Sequence, residues 1–346
     1  MANKANEGHR STRNTIKSFI TSHATQLITI ALVLLVLRVF IPQLSNLKES
    51  LQAVKTADIA ILIEAVLIFT LGFPVVALKY CLIAQYAVKY WLTLQVQIAS
   101  AFISKLLPMS IGSLTVNTFY LTTVSKDVAK AASTMTLNAV TSSTAFFLII
   151  IFALIRSRGD LANQAVQHNI QWGQVFALFV GITLIIFFVL RIHKIRTRLV
   201  KTWNGLWGNF KHYKDQPGKV AYGVVFNAIG SLTGIATLYL CAQAVNLDIT
   251  FSQAILSYTM GNIIGSLVPT PGGLGGAEAG LYAGLVFFGY DPSLCLTAVL
   301  IYRLISYWLP IIPGYLMYRH LRHTTLSEFS IRKKADKSKQ KFAAKT

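Results

Sequence analysis

"LVPTPGGLGGAE" occupies Leu267–Glu278, between two strongly apolar stretches. How this stretch folds decides the architecture. Pro269 and Pro271 remove backbone donors and restrict the residues before them, so an incoming helix stops there. Gly272, Gly273, Gly275 and Gly276 allow a sharp turn and close approach to a ligand. A new helix is expected from Ala277, with Glu278 in its first turn, where the helix dipole favours negative charge. Its orphan N–H groups would suit an anion. Irregular backbone at membrane depth is tolerated only where it is buried in protein or lines a wet cavity. The stretch therefore predicts a broken helix facing a polar cavity.

The rest of the chain supplies the membrane. Of its 346 residues, 54% are hydrophobic and 13% charged, against about 25% charged in a soluble domain. Runs such as 23–41 and 172–190 approach the ~20 apolar residues that cross a bilayer. The fold class expected is all-α, a polytopic helical membrane protein. The first run is read as an anchored helix and not a cleaved signal, since it is long and lacks a small-residue cleavage site.

The net charge of +20 would suit nucleic acid, but its distribution does not. Basic residues gather before residue 21, over 191–219 and after 319, flanking apolar spans as cytoplasmic loops do. Nucleic acid is not expected as a partner. Cys81, Cys241 and Cys295 lie in apolar stretches without metal-ligand spacing, and read as small buried hydrophobes. No phosphate-binding loop, zinc-protease motif or nucleophile elbow occurs, so neither a cofactor nor a metal is expected.

Apolar run length places full spans near 22–41, 58–79, 131–155, 172–191, 221–245 and 293–318. Two stretches are too short on either side of a break to span: 92–124, broken at "KLLPMSIGS" (105–113), and 252–289, broken at 269–276. Both are expected to be re-entrant hairpins. With the N-terminus inside, this topology puts all three basic clusters on the cytoplasmic side. The domain layout is then a basic N-terminus (1–21), a transmembrane domain (22–319) and a basic cytoplasmic tail (320–346).

The same layout contains a repeat of span, hairpin, span, over 58–155 and again over 221–318. Leu107-Pro108 and Gly112 recur at the same spacing as Val268-Pro269 and Gly273, and Asp127 has a counterpart in Asp291. One span separates the units, so they insert in opposite senses. Inverted repeats with broken helices characterise alternating-access transporters. Within 191–219, residues 194–213 place Ile195, Leu199, Trp203, Leu206 and Phe210 at helical spacing. Either an interfacial helix or a solvated basic loop fits.

Ionisable groups inside spans are costly and mark function by default. They are Arg38, Glu64, Lys105, Glu278 and Arg303. Arg38 is near a span end and is able to snorkel. Glu64 lies one or two turns into its span, and Lys105 just precedes the first break. Arg303 is close to mid-membrane and is the expected counter-ion of Glu278. Two outcomes are open: the pair contacts a headgroup, or its members contact only each other. Tyr302, Tyr307 and Trp308 either line a cavity or form an aromatic belt. Gly261, Gly265, Gly276, Gly280 and Gly284 predict close helix packing.

The P-T-P-G-G-L-G-x-x-E core and the downstream Y-R-L-x-x-x-W-L-P (Tyr302 to Pro310) resemble the lysylphosphatidylglycerol synthase transmembrane-region family, also called flippase-like. Weaker resemblance covers about 25–320. The family implies polytopic proteins that handle lipids, some fused to a soluble aminoacyl transferase domain and others standing alone. By motif match Pro269, Pro271, Gly272, Gly273, Gly275, Glu278, Tyr302 and Arg303 carry over: the two prolines as helix-break residues, alongside Pro108 and Gly112, and the others, joined by Gly276, as headgroup-site residues. The first half departs from the pattern. After the break at Pro108 and Gly112 it offers Ser113, Thr115, Asn117 and Tyr120 where relatives often carry a charge. In the following span it offers Asn138 and Thr141 in place of E-R-x-x-D. Lys105, Asn117, Tyr120, Asn138 and Glu64 are the secondary candidates.

These features predict a lipid translocase of the cytoplasmic membrane, acting on a phospholipid or polyprenyl-linked headgroup, with membrane lipids as partners. The enzymatic alternative is the membrane component of lysylphosphatidylglycerol synthesis. It would need a transferase domain on a separate synthase or glycosyltransferase partner, because only a basic tail follows the last span here.

Overall fold

Three aspartates start three of the long helices. Asp58 Oδ1 accepts from the amides of Ala60 (2.8 Å) and Ile61 (3.4 Å). Asp127 Oδ1 accepts from Ala129 (2.8 Å) and Lys130 (3.4 Å), and Asp291 Oδ1 from Ser293 (2.9 Å) and Leu294 (3.1 Å). Each satisfies amides that a helix start leaves without partners. The expected correspondence of Asp127 with Asp291 is thus a shared capping role.

The structure, a computed structural model, describes residues 54–107, 111–159, 213 and 216–323. Helix α1 (Ile59–Ile83) is followed by a hairpin of α2 (Tyr90–Leu106) and α3 (Ile111–Ser125), then by α4 (Val128–Arg156). Helix α5 (Pro217–Ala244) precedes a second hairpin of α6 (Phe251–Leu267) and α7 (Gly276–Phe287), then α8 (Pro292–Arg303). Helix α8 passes through a π turn (Leu304–Trp308) and continues as helix, so that Pro292–His323 forms one 32-residue span. The spans predicted at 58–79, 131–155, 221–245 and 293–318 are all present, and these four helices are long and apolar enough to cross a membrane. The predicted spans 22–41 and 172–191, the segment 194–212, the basic N-terminus, Arg38, Pro108 and the tail beyond His323 lie outside the described residues.

The hairpin arms are short, with 17, 15, 17 and 12 residues. At 1.5 Å per residue the longest reach about 26 Å, below the ~30 Å hydrocarbon thickness.

Surface and interior are apportioned as in lipid. Along α1, Ile59, Ile63, Leu67 and Leu71 form an exposed apolar stripe, and α4 exposes Phe147, Leu148, Ile151 and Ile155. Buried positions include Thr93, Gln97, Asn117, Thr134 and Thr141. Lipid gives helices little hydrophobic reason to associate, so close contact between small residues takes over. In the second hairpin a Cβ on Gly280 would fall 2.6 Å from the Met260 carbonyl oxygen, and one on Gly284 2.6 Å from Ser257 Cα. The predicted glycine stripes are therefore packing surfaces.

Helices α1 and α5, the first of each unit, run antiparallel. Asp58 N donates to Ala244 O (2.8 Å), Gly72 lies against Thr233, Lys79 Nζ donates to Asn227 Oδ1 (2.9 Å), and Lys219 Nζ donates to Ala84 O (2.7 Å). Numbers rise along one helix as they fall along the other, as units of opposite sense require. The last helix of each unit packs on the first hairpin arm of the other. Gly314 of α8 sits against Phe102 and Ile98 of α2, and α4 packs on α6. Both hairpins are thereby held between the units, and their breaks are brought together.

Candidate functional site

Both breaks begin alike. Leu107 (φ −108, ψ 142) ends α2 and Val268 (φ −82, ψ 120) ends α6, each extended as a residue before proline should be. Each also returns its amide to the carbonyl four residues back, Leu107 to Ile103 (3.3 Å) and Val268 to Ile264 (3.2 Å). Gly112 and Gly273 then let the second arm lie against the first. A Cβ would meet Ile103 O at 2.5 Å in one break and Gly265 O at 2.8 Å in the other. The residue-level repeat is therefore structural as well as numerical.

In the second break Gly272, Gly273 and Gly275 have φ of 60, 70 and 81. The amides there are mostly occupied. Gly273 N donates to Thr270 O (3.1 Å), Leu274 N to Pro271 O (3.3 Å) and Ala277 N to Gly273 O (2.9 Å). Gly275 N donates to Glu278 Oε2 (2.7 Å), the carboxylate reaching back to cap its own helix. The expected anion site of orphan amides is thus narrowed, since the amides of Gly275, Ala277 and Ala279 find acceptors within the chain.

Positive charge at the site comes from side chains. Arg303 Nε donates to Glu278 Oε1 at 2.7 Å, with the two side chains 10% and 17% exposed. Arg303 Nη2 is buried with no hydrogen-bond partner among the described residues. From the other break, Lys105 Nζ lies 5.2 Å from the centroid of the Tyr307 ring, and the Arg303 guanidinium lies 4.9 Å from it. Tyr307 OH donates to Lys105 O (3.4 Å), and Gly272 N to Leu107 O (3.5 Å). The π turn makes this possible: Leu309 N bonds Leu304 O five residues back (2.9 Å), and the fully buried Tyr307 lies in that widened turn. Such turns recur at functional sites. Two basic side chains and one carboxylate thus gather at the site.

A cavity of about 320 Å³ opens on these groups, lined by Lys105, Arg303, Gly272, Gly273, Asn262 and Ser306 among others. A second, of about 280 Å³, adjoins it and is lined by Val76, Gln97, Ser100, Ser113, Gly230 and Thr233 among others. Phe69, Phe73, Tyr258 and Tyr302 line both. The first is at the lower end of the ~300–1,000 Å³ typical of ligand sites and the second just below it. Among the described residues no three His, Cys, Asp or Glu side chains are grouped to hold a metal ion.

The sequence model of the family described as "Lysylphosphatidylglycerol synthase TM region" matches residues 19–314. The chain belongs to that family. A UPF0104 membrane protein of Methanothermobacter thermautotrophicus is 27% identical over 132 residues, covering 34% of this chain and 40% of the relative. Another, from Methanocaldococcus jannaschii, is 23% identical over 229 residues, covering 66% of this chain and 97% of the relative. No solved structure matches.

Of the residues the sequence singled out, Arg303, Gly272, Gly273, Tyr302 and Lys105 line the cavity, and Glu278 is tied to them through its ion pair with Arg303. Gly275 holds the Glu278 cap, and Gly276 backs onto Val268. Pro269 and Pro271 hold the break. Asn117 is buried in the first hairpin, accepting from Gln97 Nε2 (2.7 Å), and Tyr120 shares a hydrogen bond with Thr93 (2.8 Å). Asn138 Oδ1 is buried without a partner among the described residues. Glu64 is exposed on α1, away from the cavity lining. Tyr213, the one described residue of 194–213, is buried beside Thr134.

Sequence reasoning missed Lys79. It is 5% exposed inside α1 and bonded to Asn227. A span of 58–79 puts Lys79 at the membrane surface, whereas α1 continues to Ile83.

Proposed function

We propose that this protein is a lipid translocase of the cytoplasmic membrane, with both termini cytoplasmic, that passes a phosphate-bearing headgroup through the cavity where the two breaks meet. The observation that carries this is the convergence of Lys105 from one hairpin and Arg303 beside the other on the Tyr307 ring, with a single carboxylate between them and a cavity. Charges in a membrane interior are expensive and are kept where they bind or move something. Two basic side chains against one carboxylate, with an unpaired guanidinium N–H group, match phosphate, for which arginine geometry is well suited. The antiparallel first helices support exchange of access between the two membrane faces by rocking one unit against the other.

The test is translocation of headgroup-labelled phosphatidylglycerol and polyprenyl phosphate in proteoliposomes. The wild type should move at least one of them, and Arg303→Gln should not. A folded wild type that moves none contradicts the proposal.

The family's own description favours a second reading, a membrane component of lysylphosphatidylglycerol synthesis. It predicts co-purification with a transferase chain and lysyl transfer to phosphatidylglycerol by the pair.

A further inference from the structure

We propose that Lys79 is a second phosphate station on the same headgroup path, one helical turn along α1 from Val76 in the lining of the adjoining 280 Å³ cavity, here the inner cavity. This rests on the translocase reading and adds a residue and a direction to it.

Lys79 is buried between three helices. Its ammonium donates to Asn227 Oδ1 of α5 (2.9 Å). Asn227 Nδ2 in turn donates to Thr141 Oγ1 of α4 (3.0 Å), and that hydroxyl donates to Leu137 O (2.8 Å). This chain fixes the amide, because a flip would turn its NH₂ towards the ammonium. Asn227 therefore offers Lys79 a single acceptor. The ring of Tyr80 lies 4.9 Å away, and among the described residues no carboxylate pairs with the ammonium. A buried ammonium has three donors to satisfy, and one neutral acceptor with one ring is meagre compensation for burial. A group held in that condition suits a visiting anion.

The place fits the role. Val76 and Gly230 line the inner cavity, and Lys79 and Asn227 are the next turn along the same α1–α5 seam. A helical side chain leans towards its helix N-terminus, which for Lys79 is the direction of Val76. The cavity between Lys79 and the first site carries Gln97, Ser100 and Thr233, and Ser100 Oγ is buried without a partner among the described residues. Further along the seam Lys219 reaches Ala84 O at the end of α1. The cations thus succeed one another as Arg303 with Lys105, then Lys79, then Lys219. Phe69, Phe73, Tyr258 and Tyr302 stand between the first two stations.

The experiment compares the wild type, Lys79→Gln, Lys79→Arg and Arg303→Gln in proteoliposomes with headgroup-labelled phosphatidylglycerol, alongside thermal unfolding. Lys79→Gln should slow translocation about tenfold with little change in Tm, and Lys79→Arg should restore most of the rate. If Lys79→Gln is too unstable, Lys79→Met keeps the length and needs no acceptor. A Lys79→Gln rate equal to wild type, with Arg303→Gln inactive, overturns the Lys79 station and leaves the translocase reading standing. A wild type that moves no lipid overturns both. A loss of rate that Lys79→Arg fails to restore, with a falling Tm, makes Lys79 structural and overturns the station. Dihexanoyl phosphatidylglycerol should compete with the labelled lipid and millimolar inorganic phosphate should not. Equal competition by phosphate overturns the lipid assignment in favour of a free anion.

Discussion

Replacing Glu278 by Gln probes the central pair. The carboxylate accepts two bonds of 2.7 Å, from Arg303 Nε and Gly275 N. Removing one member of a buried ion pair costs about 3–5 kcal/mol, chiefly because the other charge is stranded. Two features point to the lower end here. Arg303 keeps the Tyr307 face at 4.9 Å, worth about 0.5–2 kcal/mol, and the Gln amide oxygen still accepts from Gly275. We expect about 3 kcal/mol for Glu278→Gln, and a similar loss for Arg303→Gln, which strands the carboxylate. At roughly 2 °C per kcal/mol for a chain of this size, each single change lowers Tm by about 6 °C. The double variant strands no charge, so its Tm should fall by about 6 °C and not by about 12 °C, a coupling near 3 kcal/mol. Thermal unfolding of the four proteins in one detergent–lipid mixture measures this. If the double loss equals the sum of the single losses, the two residues do not act as a buried pair and the site geometry is wrong.

Other consequences separate packing from chemistry. Gly272→Ala puts a Cβ 2.5 Å from Tyr307 Cε2 at φ 60, whereas Gly275→Ala at φ 81 meets open space; the first should cost about 2 kcal/mol more stability than the second, read as the larger fall in Tm, and equal losses would refute the contact with Tyr307. Asp127→Ala and Asp291→Ala each remove an N-cap, and each should cost about 1 kcal/mol; a large difference in their Tm would break the symmetry of the units. Gly112→Ala drives a Cβ to 2.5 Å from Ile103 O, so Tm should fall and lipid translocation should slow, and an unchanged protein would show that the first hairpin is looser than described.

Much of this was legible in the residues. Run length found the four described spans because their polar residues are few and scattered among long apolar runs, and the prolines and glycines of 268–276 marked a break that no helix survives. Glu278 and Arg303 stood out because a charge in an apolar stretch is expensive. The partnership of Lys105 with Arg303 was not legible. Lys105 and Tyr307, whose ring both basic groups face, lie 202 positions apart in sequence, and only antiparallel packing of the units brings the breaks together. Nor was the occupancy of the helix-start amides, which depends on the backbone course through Gly272, Gly273 and Gly275. Lys79 was hidden by the rule itself: a lysine lowers local hydropathy and so ends the predicted span where the helix continues. What marks it is its burial against Asn227, a residue of the other unit.

The most direct measurement is native mass spectrometry of lipids retained by the purified protein, wild type against Lys105→Gln/Arg303→Gln. The account predicts a phosphate-bearing lipid on the wild type and at least a tenfold loss in the folded double variant. Equal retention of the same lipid by both proteins would contradict it.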